Sequence, residues 1–273
     1  MANQLTDAWK ILIRPNRPEY QLSDLGQNLQ VIDNCKYSRH DFTYCNKNSF
    51  LIHCSMFYPE EVLFNDSTAT GGNMSLDSTL NNRNNNDDSF LKPSQKNSKF
   101  NRNAGFERIE KKPLLIYLHS QTGNRVEGYH LLQHCAKRRI ALLLFDFAGC
   151  GKSEGEYVSL GYHEKDDLEG VINHVCEGFP IGNIALWGRS MGAVTGILYA
   201  EKNASKITSM ILDSPFNELS TVVKEFANKH FNLPGILLTM AIKMISGSIE
   251  KKIGYNLFDL NPGKAAQKII VPA

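Results

Sequence analysis

Long hydrophobic runs are missing from this sequence. The longest apolar stretch near its end, 236–245, is interrupted by Thr239 and Lys243 and is too short to span a bilayer. Residues 1–15 mix polar with apolar side chains, whereas a secretory signal has a continuous apolar core. We therefore expect no transmembrane segment and no export signal, while peripheral contact with lipid stays open.

A cysteine pattern typical of disulfide frameworks or metal sites is missing too. The sequence contains six cysteines, but none of them form a C-x-x-C pair. Three lie at apolar periodic positions, which is typical of reduced thiols in a protein core. The cysteines therefore predict a cytoplasmic protein.

The sequence also has no bias toward charge of one sign. Its 30 basic and 28 acidic residues are scattered and give a net charge of +2. Because nucleic-acid binding needs a clustered basic surface, we expect no nucleic-acid partner and favour small molecules or peptides as partners. The oligomeric state stays open.

What the sequence does contain is enough apolar material for one large domain. With 273 residues, of which 42% are hydrophobic, the chain fits a single α/β domain over 1–273. Short runs at 9–13, 29–32, 42–44 and 50–58 predict antiparallel strands in the first part of this domain. Segment 65–103 is rich in Asn and Ser and too poor in apolar residues to fold, so we predict a disordered insertion there.

After this insertion, strands and helices alternate regularly. Apolar runs predict strands at 114–118, 140–145, 183–187 and 207–212, and helical spacing predicts helices in the intervals between and after them. Connections of this length build a parallel sheet with helices on both faces. The alternation pauses at 216–262, where two apolar helices fit either a lid over an active site or plain core.

One short segment, Gly188-Arg189-Ser190-Met191-Gly192, lies between a predicted strand and a predicted helix. It has the G-x-S-x-G pattern of a nucleophile elbow, in which glycines leave room for a serine on a strained turn. A Gly/Ser turn in an ordinary crossover gives the same five letters, but the strand before it and the helix after it favour catalysis.

The elbow, the strand order and two further motifs resemble the alpha/beta-hydrolase superfamily, and within it intracellular serine-aminopeptidase-like members. The first motif runs from 117 to 123, where Ser120 replaces the family's glycine. The resemblance implies that the backbone N–H groups of Gln121 and Met191 form the oxyanion hole. It implies a structural role for His119.

The second motif, 146–155, resembles the family's D-x-x-G-x-G-x-S-x-G loop and implies structural support from Asp146. Within it, Gly151-Lys152-Ser153 nearly completes a P-loop. However, Asp146 occupies the place of the first P-loop glycine, and an aspartate there repels phosphate. We therefore rank a P-loop NTPase as a distant alternative.

A catalytic serine needs a histidine and an acid, which follow the serine in the chain of this family. Only His230 follows Ser190, and its place near a helix end is typical of a surface residue. Asp213, after the strand 207–212, is the best candidate acid in the chain, although a structural role suits it better. The resemblance implies that 268–273 opens a buried strand, so we predict a truncated chain whose acid and histidine lie beyond residue 273.

Together these features predict a serine hydrolase that cleaves an ester, thioester or amide bond through an acyl-enzyme on Ser190, with no metal or other cofactor. The alternative from another class is a catalytically inactive hydrolase-like protein that binds or scaffolds.

Overall fold

The structure is a computed structural model that describes residues 9–60, 110–231, 235–256 and 259–273. The Asn- and Ser-rich segment 65–103 lies outside these residues, so its disorder stays a prediction.

A seven-stranded sheet forms the centre of the fold. The strands are β1 Leu29–Ile32, β2 Cys35–Cys45, β3 Leu51–Pro59, β4 Lys112–Leu118, β5 Ala141–Phe145, β6 Ile181–Arg189 and β7 Ser209–Asp213. They lie in the order β1-β2-β3-β5-β4-β6-β7. The first three strands pair antiparallel, β3 pairs antiparallel with β5, and the pairs β5-β4, β4-β6 and β6-β7 are parallel. The predicted α/β class, with antiparallel strands preceding a parallel sheet, is confirmed.

Helices cover both faces of this sheet. Along β4, Leu114, Ile116 and Leu118 lie in one apolar cluster with helices α3 and α4, whereas Tyr117 lies in a second cluster with α2. This alternation follows from the pleat, because successive side chains of a strand point to opposite faces. The helices are α1 at 9–13, α2 Leu132–Ala136, α3 Glu164–Gly178, α4 Met191–Asn203, α5 Leu219–Phe231, α6 Gly235–Ile253 and α7 Pro262–Ala266, with a 3₁₀ segment at Arg125–Leu131.

The strand predicted at 9–13 is wrong, because these residues are helical. Trp9, Leu12 and Ile13 are buried at helical spacing, whereas Ile11 is 60% exposed. The apolar run therefore carried a period of 3.6 residues, and its shortness hid that period.

Among the predicted antiparallel strands, β2 is longer than its apolar run at 42–44, whereas β1 and β3 have the lengths of their runs. β2 pairs with β3 from Tyr37 opposite Pro59 to Cys45 opposite Leu51. Met56 and Phe57, which point to opposite faces of β3, are both fully buried. Both faces are covered because β3 lies inside the sheet, between β2 and β5.

The predicted helices within 216–262 are present as α5 and α6. Along α6, Ile242, Ile245 and Ile249 are buried in the core, whereas Ile236 and Met240 are more than half exposed. This helix therefore packs along one side, and its role as a lid stays a prediction. Within the described residues, no helix has both the length and the apolar character needed to cross a bilayer.

The strand predicted at 268–273 is also wrong. Residues 267–273 form no strand, and Ile270 is 89% exposed. One ladder-like contact is present, because the N–H of Met210 in β7 donates to the carbonyl of Pro272 at 2.8 Å. Because Pro272 has no backbone N–H, it cannot donate a hydrogen bond to β7, and the contact does not extend into a ladder.

Candidate active site

Ser190 lies where β6 ends and α4 begins, in a backbone conformation that few residues adopt. Its φ of 51° and ψ of −113° lie outside the regions favoured by a residue with a side chain. Its N–H donates to the carbonyl of Asp213 at 2.8 Å, which ties the turn to the end of β7. Strain of this kind persists only where the surrounding structure enforces it.

The two glycines around Ser190 are required by close backbone contacts. A Cβ at Gly188 would lie 2.5 Å from the carbonyl carbon and oxygen of Gly192. A Cβ at Gly192 would overlap the carbonyl oxygen of Leu118, at the end of β4. The turn is therefore pressed against both its own helix and the neighbouring strand, and this holds Ser190 in its strained conformation.

The predicted oxyanion loop follows β4. Ser120 to Gly123 form a turn closed by the N–H of Gly123 and the carbonyl of Ser120 at 3.0 Å. The side chain of Gln121 donates to the carbonyl of Leu12 at 2.6 Å, which anchors the turn to α1. Neither the N–H of Gln121 nor that of Met191 donates a hydrogen bond to any other described residue.

His119 is fully buried beside this loop, and both of its ring nitrogens have partners. Its Nδ1 lies 2.7 Å from the carbonyl oxygen of Ser120, and its Nε2 lies 3.1 Å from the backbone nitrogen of Phe147. Burial lowers the pKa of the ring, which favours a neutral imidazole with Nδ1 as donor and Nε2 as acceptor. These contacts leave no ring nitrogen for Ser190 and fit the predicted structural role.

Asp146, which follows β5, is fully buried, and its carboxylate accepts three hydrogen bonds. One carboxylate oxygen accepts from the hydroxyl of Tyr20 at 2.6 Å and from the N–H of Lys152 at 3.0 Å, and it lies 3.8 Å from the buried guanidinium of Arg125. The other oxygen accepts from the N–H of Arg125 at 2.7 Å. Asp146 therefore joins three segments beneath the cleft described below.

The geometry of the loop 146–155 is inconsistent with the distant alternative of a P-loop. The hydroxyl of Ser153 donates to the carbonyl of Asp146 at 2.6 Å and accepts from the N–H of His53 at 2.9 Å. No helix begins after Ser153 until Glu164, whereas a P-loop opens directly into a helix. Gly149, Gly151 and Gly155 all have positive φ, so the glycines serve a tight turn.

Asp213, the candidate acid, ends β7 with a side chain that is 50% exposed. Its carboxylate accepts from the hydroxyl of Ser214 at 2.7 Å and lies 3.6 Å from the guanidinium of Arg189. No described histidine contacts it.

A cleft of about 690 Å³ opens over the serine. Ser190, Arg189, Ser120 and Glu127 line one side of it, and residues before β1, among them Tyr20, line the other. No histidine occurs among the described residues that line the cleft. The His230 side chain lies outside the described part of the chain.

Sequence reasoning missed Glu127 at this site. Its carboxylate contacts Ser120 on the oxyanion turn and Arg189 beside the nucleophile. It missed Tyr20 and Arg125 around Asp146 in the same way. Tyr20 and Arg189 reach their partners across long stretches of the chain, and no periodic or motif signal marks any of these contacts.

Comparison with known proteins agrees with this geometry. A family model described as the alpha/beta hydrolase fold matches residues 113–235, a range that contains the oxyanion turn and the elbow. The crystal structure of the Pyrococcus furiosus esterase Pf2001 is similar over 95% of this chain and 75% of that one, with a TM-score of 0.55 and 17% identity.

Curated relatives are also similar at a distance. The uncharacterized protein YqkD of Bacillus subtilis is 26% identical over 200 residues, which cover 61% of this chain and 62% of that protein. A putative esterase/lipase 2 of Mycoplasma genitalium is 27% identical over 48% of each chain. The chain thus spans about half the length of the curated relatives it matches. The matching family model and the Pf2001 structure together show that this chain has the alpha/beta hydrolase fold.

Proposed function

We propose that this protein is a serine hydrolase that forms an acyl-enzyme on Ser190. The observation that carries this proposal is the strained backbone of Ser190, with φ of 51°, held between two glycines that admit no side chain. A fold that maintains such strain at a serine lining a cleft supplies the nucleophile of an acyl-transfer site.

The proposed reaction uses these parts in turn. The Ser190 oxygen attacks the carbonyl carbon of an ester, thioester or amide, and its proton passes to a general base. The carbonyl oxygen becomes an oxyanion that accepts hydrogen bonds from the N–H groups of Gln121 and Met191. The leaving group departs with a proton, and water then attacks the acyl-enzyme and releases the acid. These steps need neither a metal nor another cofactor.

The general base and its acid are the parts that the described cleft does not supply. We propose that a histidine and an acid outside residues 1–273 complete the triad, as the sequence predicts. The absence of histidine from the described cleft lining and the two engaged nitrogens of His119 support this. Asp213 is the reserve candidate for the acid, because it lies beside the elbow.

The proposed substrates are small acyl compounds or short peptides in the cytoplasm. A cleft of about 690 Å³ suits a small ligand better than a folded protein. The names of two similar proteins, an esterase and a putative esterase/lipase, favour esters first. The serine-aminopeptidase-like resemblance keeps amides within the proposal.

Trapping the intermediate tests this proposal. Incubation of the full-length protein with an activated acyl ester should add one acyl group, and peptide mapping should locate it on Ser190. Ser190→Ala should show neither the adduct nor ester turnover. An adduct on another residue, or unchanged turnover in Ser190→Ala, contradicts the proposal. Residues 1–273 alone should turn over ester barely or not at all, and robust activity there would show that an in-chain histidine serves.

One observation favours a second candidate function, a catalytically inactive hydrolase-like protein that binds or scaffolds. The described cleft holds the nucleophile without a histidine. This alternative predicts that the full-length protein binds acyl ligands with neither adduct nor turnover, and that Ser190→Ala binds them equally well.

A further inference from the structure

The oxyanion turn departs from the family resemblance at Ser120, and the structure gives that serine a partner. The backbone N–H of Ser120 donates to Oε2 of Glu127 at 3.1 Å, and the hydroxyl of the same serine donates to the same oxygen at 3.1 Å. One carboxylate oxygen therefore holds both donors of the first residue of the turn. Gln121, the predicted oxyanion donor, is the next residue.

The other oxygen of Glu127 points toward the nucleophile. Oε1 accepts from the hydroxyl of Tyr117 at 3.1 Å and from the guanidinium of Arg189 at 3.2 Å. Arg189 directly precedes Ser190 in the elbow. Burial and the nearby carboxylate raise the pKa of Tyr117, so its hydroxyl keeps the proton that it donates.

Glu127 can act as an anchor because its own backbone is firmly held. It lies in the 3₁₀ segment Arg125–Leu131, which Asn124 caps by accepting from the N–H of Val126 at 2.9 Å. The next residue, Gly128, is pressed so close to β4 that a Cβ there would lie 2.5 Å from the ring of Tyr117. The Glu127 side chain is only 17% exposed, so solvent competes weakly for its hydrogen bonds.

We propose that Glu127 is a positioning residue that fixes the oxyanion turn relative to the nucleophile elbow. It holds Ser120 with one oxygen and Arg189 with the other, and thereby sets where the N–H of Gln121 points relative to that of Met191. This inference rests on the proposed hydrolase function. It adds that Ser120 and Glu127 work as a pair, so that the serine in place of glycine tightens the turn.

A carboxylate suits this task better than an amide. Four donors converge on Glu127, namely the N–H and hydroxyl of Ser120, the hydroxyl of Tyr117 and the guanidinium of Arg189. An ionised carboxylate offers about four acceptor sites and no donor. A glutamine can still accept from Ser120 with its oxygen, but its amide nitrogen would then face two donors.

The effect should be on the chemical step, because the oxyanion exists only in the transition state and the intermediate. A displacement of about 1 Å in such a site costs about 100-fold in rate. We therefore expect Glu127→Ala in the full-length protein to lower kcat and the rate of fluorophosphonate labelling of Ser190 by about 10- to 100-fold. KM should stay within about twofold, because ground-state contacts are retained. Glu127→Gln should recover part of the lost rate.

The matched control is Glu169→Ala, which removes a surface carboxylate that pairs with Lys206 at 3.6 Å. Its labelling rate should equal that of the wild type. A double-mutant cycle then isolates the pair. Ser120→Gly should slow labelling when Glu127 is present and have no further effect when Glu127 is replaced by alanine.

The outcomes separate this inference from the function on which it rests. If wild-type Ser190 is not labelled, the proposed function fails and takes the inference with it. If the wild type is labelled and Glu127→Ala reacts equally fast, only the inference fails. If Glu127→Ala proves unstable, Ser120→Gly and Glu127→Gln replace it in the test. Should both variants lower Tm equally and leave the labelling rate per folded molecule unchanged, the contacts are merely structural and the inference is overturned.

Discussion

Two aspartates at the carboxyl ends of strands, Asp146 after β5 and Asp213 at the end of β7, differ sharply in their surroundings. Asp146 is fully buried, accepts three hydrogen bonds and faces the guanidinium of Arg125. Asp213 is 50% exposed and holds its position through Ser214 and Arg189. Residue type and place in the topology are shared, yet one carboxylate is part of the core and the other lies at the rim of the cleft.

The comparison shows that a strand end does not by itself assign a role. The two residues differ in how many buried hydrogen-bond donors have the carboxylate as their partner and no access to water. Removing a buried carboxylate leaves its donors without partners, whereas water replaces an exposed one.

The largest expected effect is that of Asp146→Ala. This change leaves the buried guanidinium of Arg125 without its counter-ion and three donors without their acceptor, and we expect a loss of about 3–5 kcal/mol in the free energy of unfolding. Urea denaturation measures it. A loss no larger than that of Asp213→Ala would remove the distinction between the two strand ends.

The next effect extends the comparison to helix α4, which follows Ser190. Gly192→Ala places a Cβ against the carbonyl of Leu118, and we expect a loss of about 2–3 kcal/mol from overpacking. Gly196→Ala in the same helix is the matched control. Its Cβ would lie 3.6 Å from the nearest atom, a Leu118 methyl group, so this variant should gain up to about 1 kcal/mol from helix propensity. Similar urea midpoints for the two variants would contradict the close contact.

A third carboxylate, Asp167, is buried, and no cation pairs with it among the described residues. Burial raises its pKa from 3.8 to about 7, against the opposing effect of a hydrogen bond from Asn46. The folded protein thus keeps a proton that the unfolded chain loses, and the free energy of unfolding should fall as pH rises from about 4 to about 7, by at most about 1.4 kcal/mol per pH unit. Asp167→Asn should flatten this slope in denaturation at pH 5 and pH 8, whereas Asp213→Asn should not. An unchanged slope in Asp167→Asn would assign the dependence to other groups.

The smallest expected effect is that of Asp213→Asn on stability. Its ion pair with Arg189 is exposed at both partners, so we expect a change below about 1 kcal/mol. The same variant tests the acid assignment, since a triad acid supports the base. Unchanged ester turnover in the full-length protein would place the acid elsewhere, and a loss of about 10⁴-fold would assign it to Asp213.

Much of the fold was predictable because its signals are local. The strands at 114–118, 140–145 and 183–187 are apolar runs of buried strands, and the elbow pattern needs only the glycines and the serine in order. The prediction failed where a short apolar run is compatible with both a strand and a helix. Residues 9–13 read as a strand until the burial of Trp9, Leu12 and Ile13 revealed a helical turn.

The part of the candidate site that could be predicted is the turn whose backbone conformation requires particular residue types. Gly188, Ser190 and Gly192 indicate a strained turn, because a side chain at either glycine would overlap neighbouring backbone atoms. Glu127 could not be found in this way. Its importance arises from a fold that brings the 3₁₀ segment beside Ser120 and Arg189, which are 7 and 62 residues away along the chain.

The most direct test of the central claim is fluorophosphonate labelling of the full-length protein, followed by peptide mapping. The account predicts a single adduct on the peptide that contains Ser190 and no adduct in Ser190→Ala. A wild-type protein that stays unlabelled while folded, or labelling that survives Ser190→Ala, would contradict it.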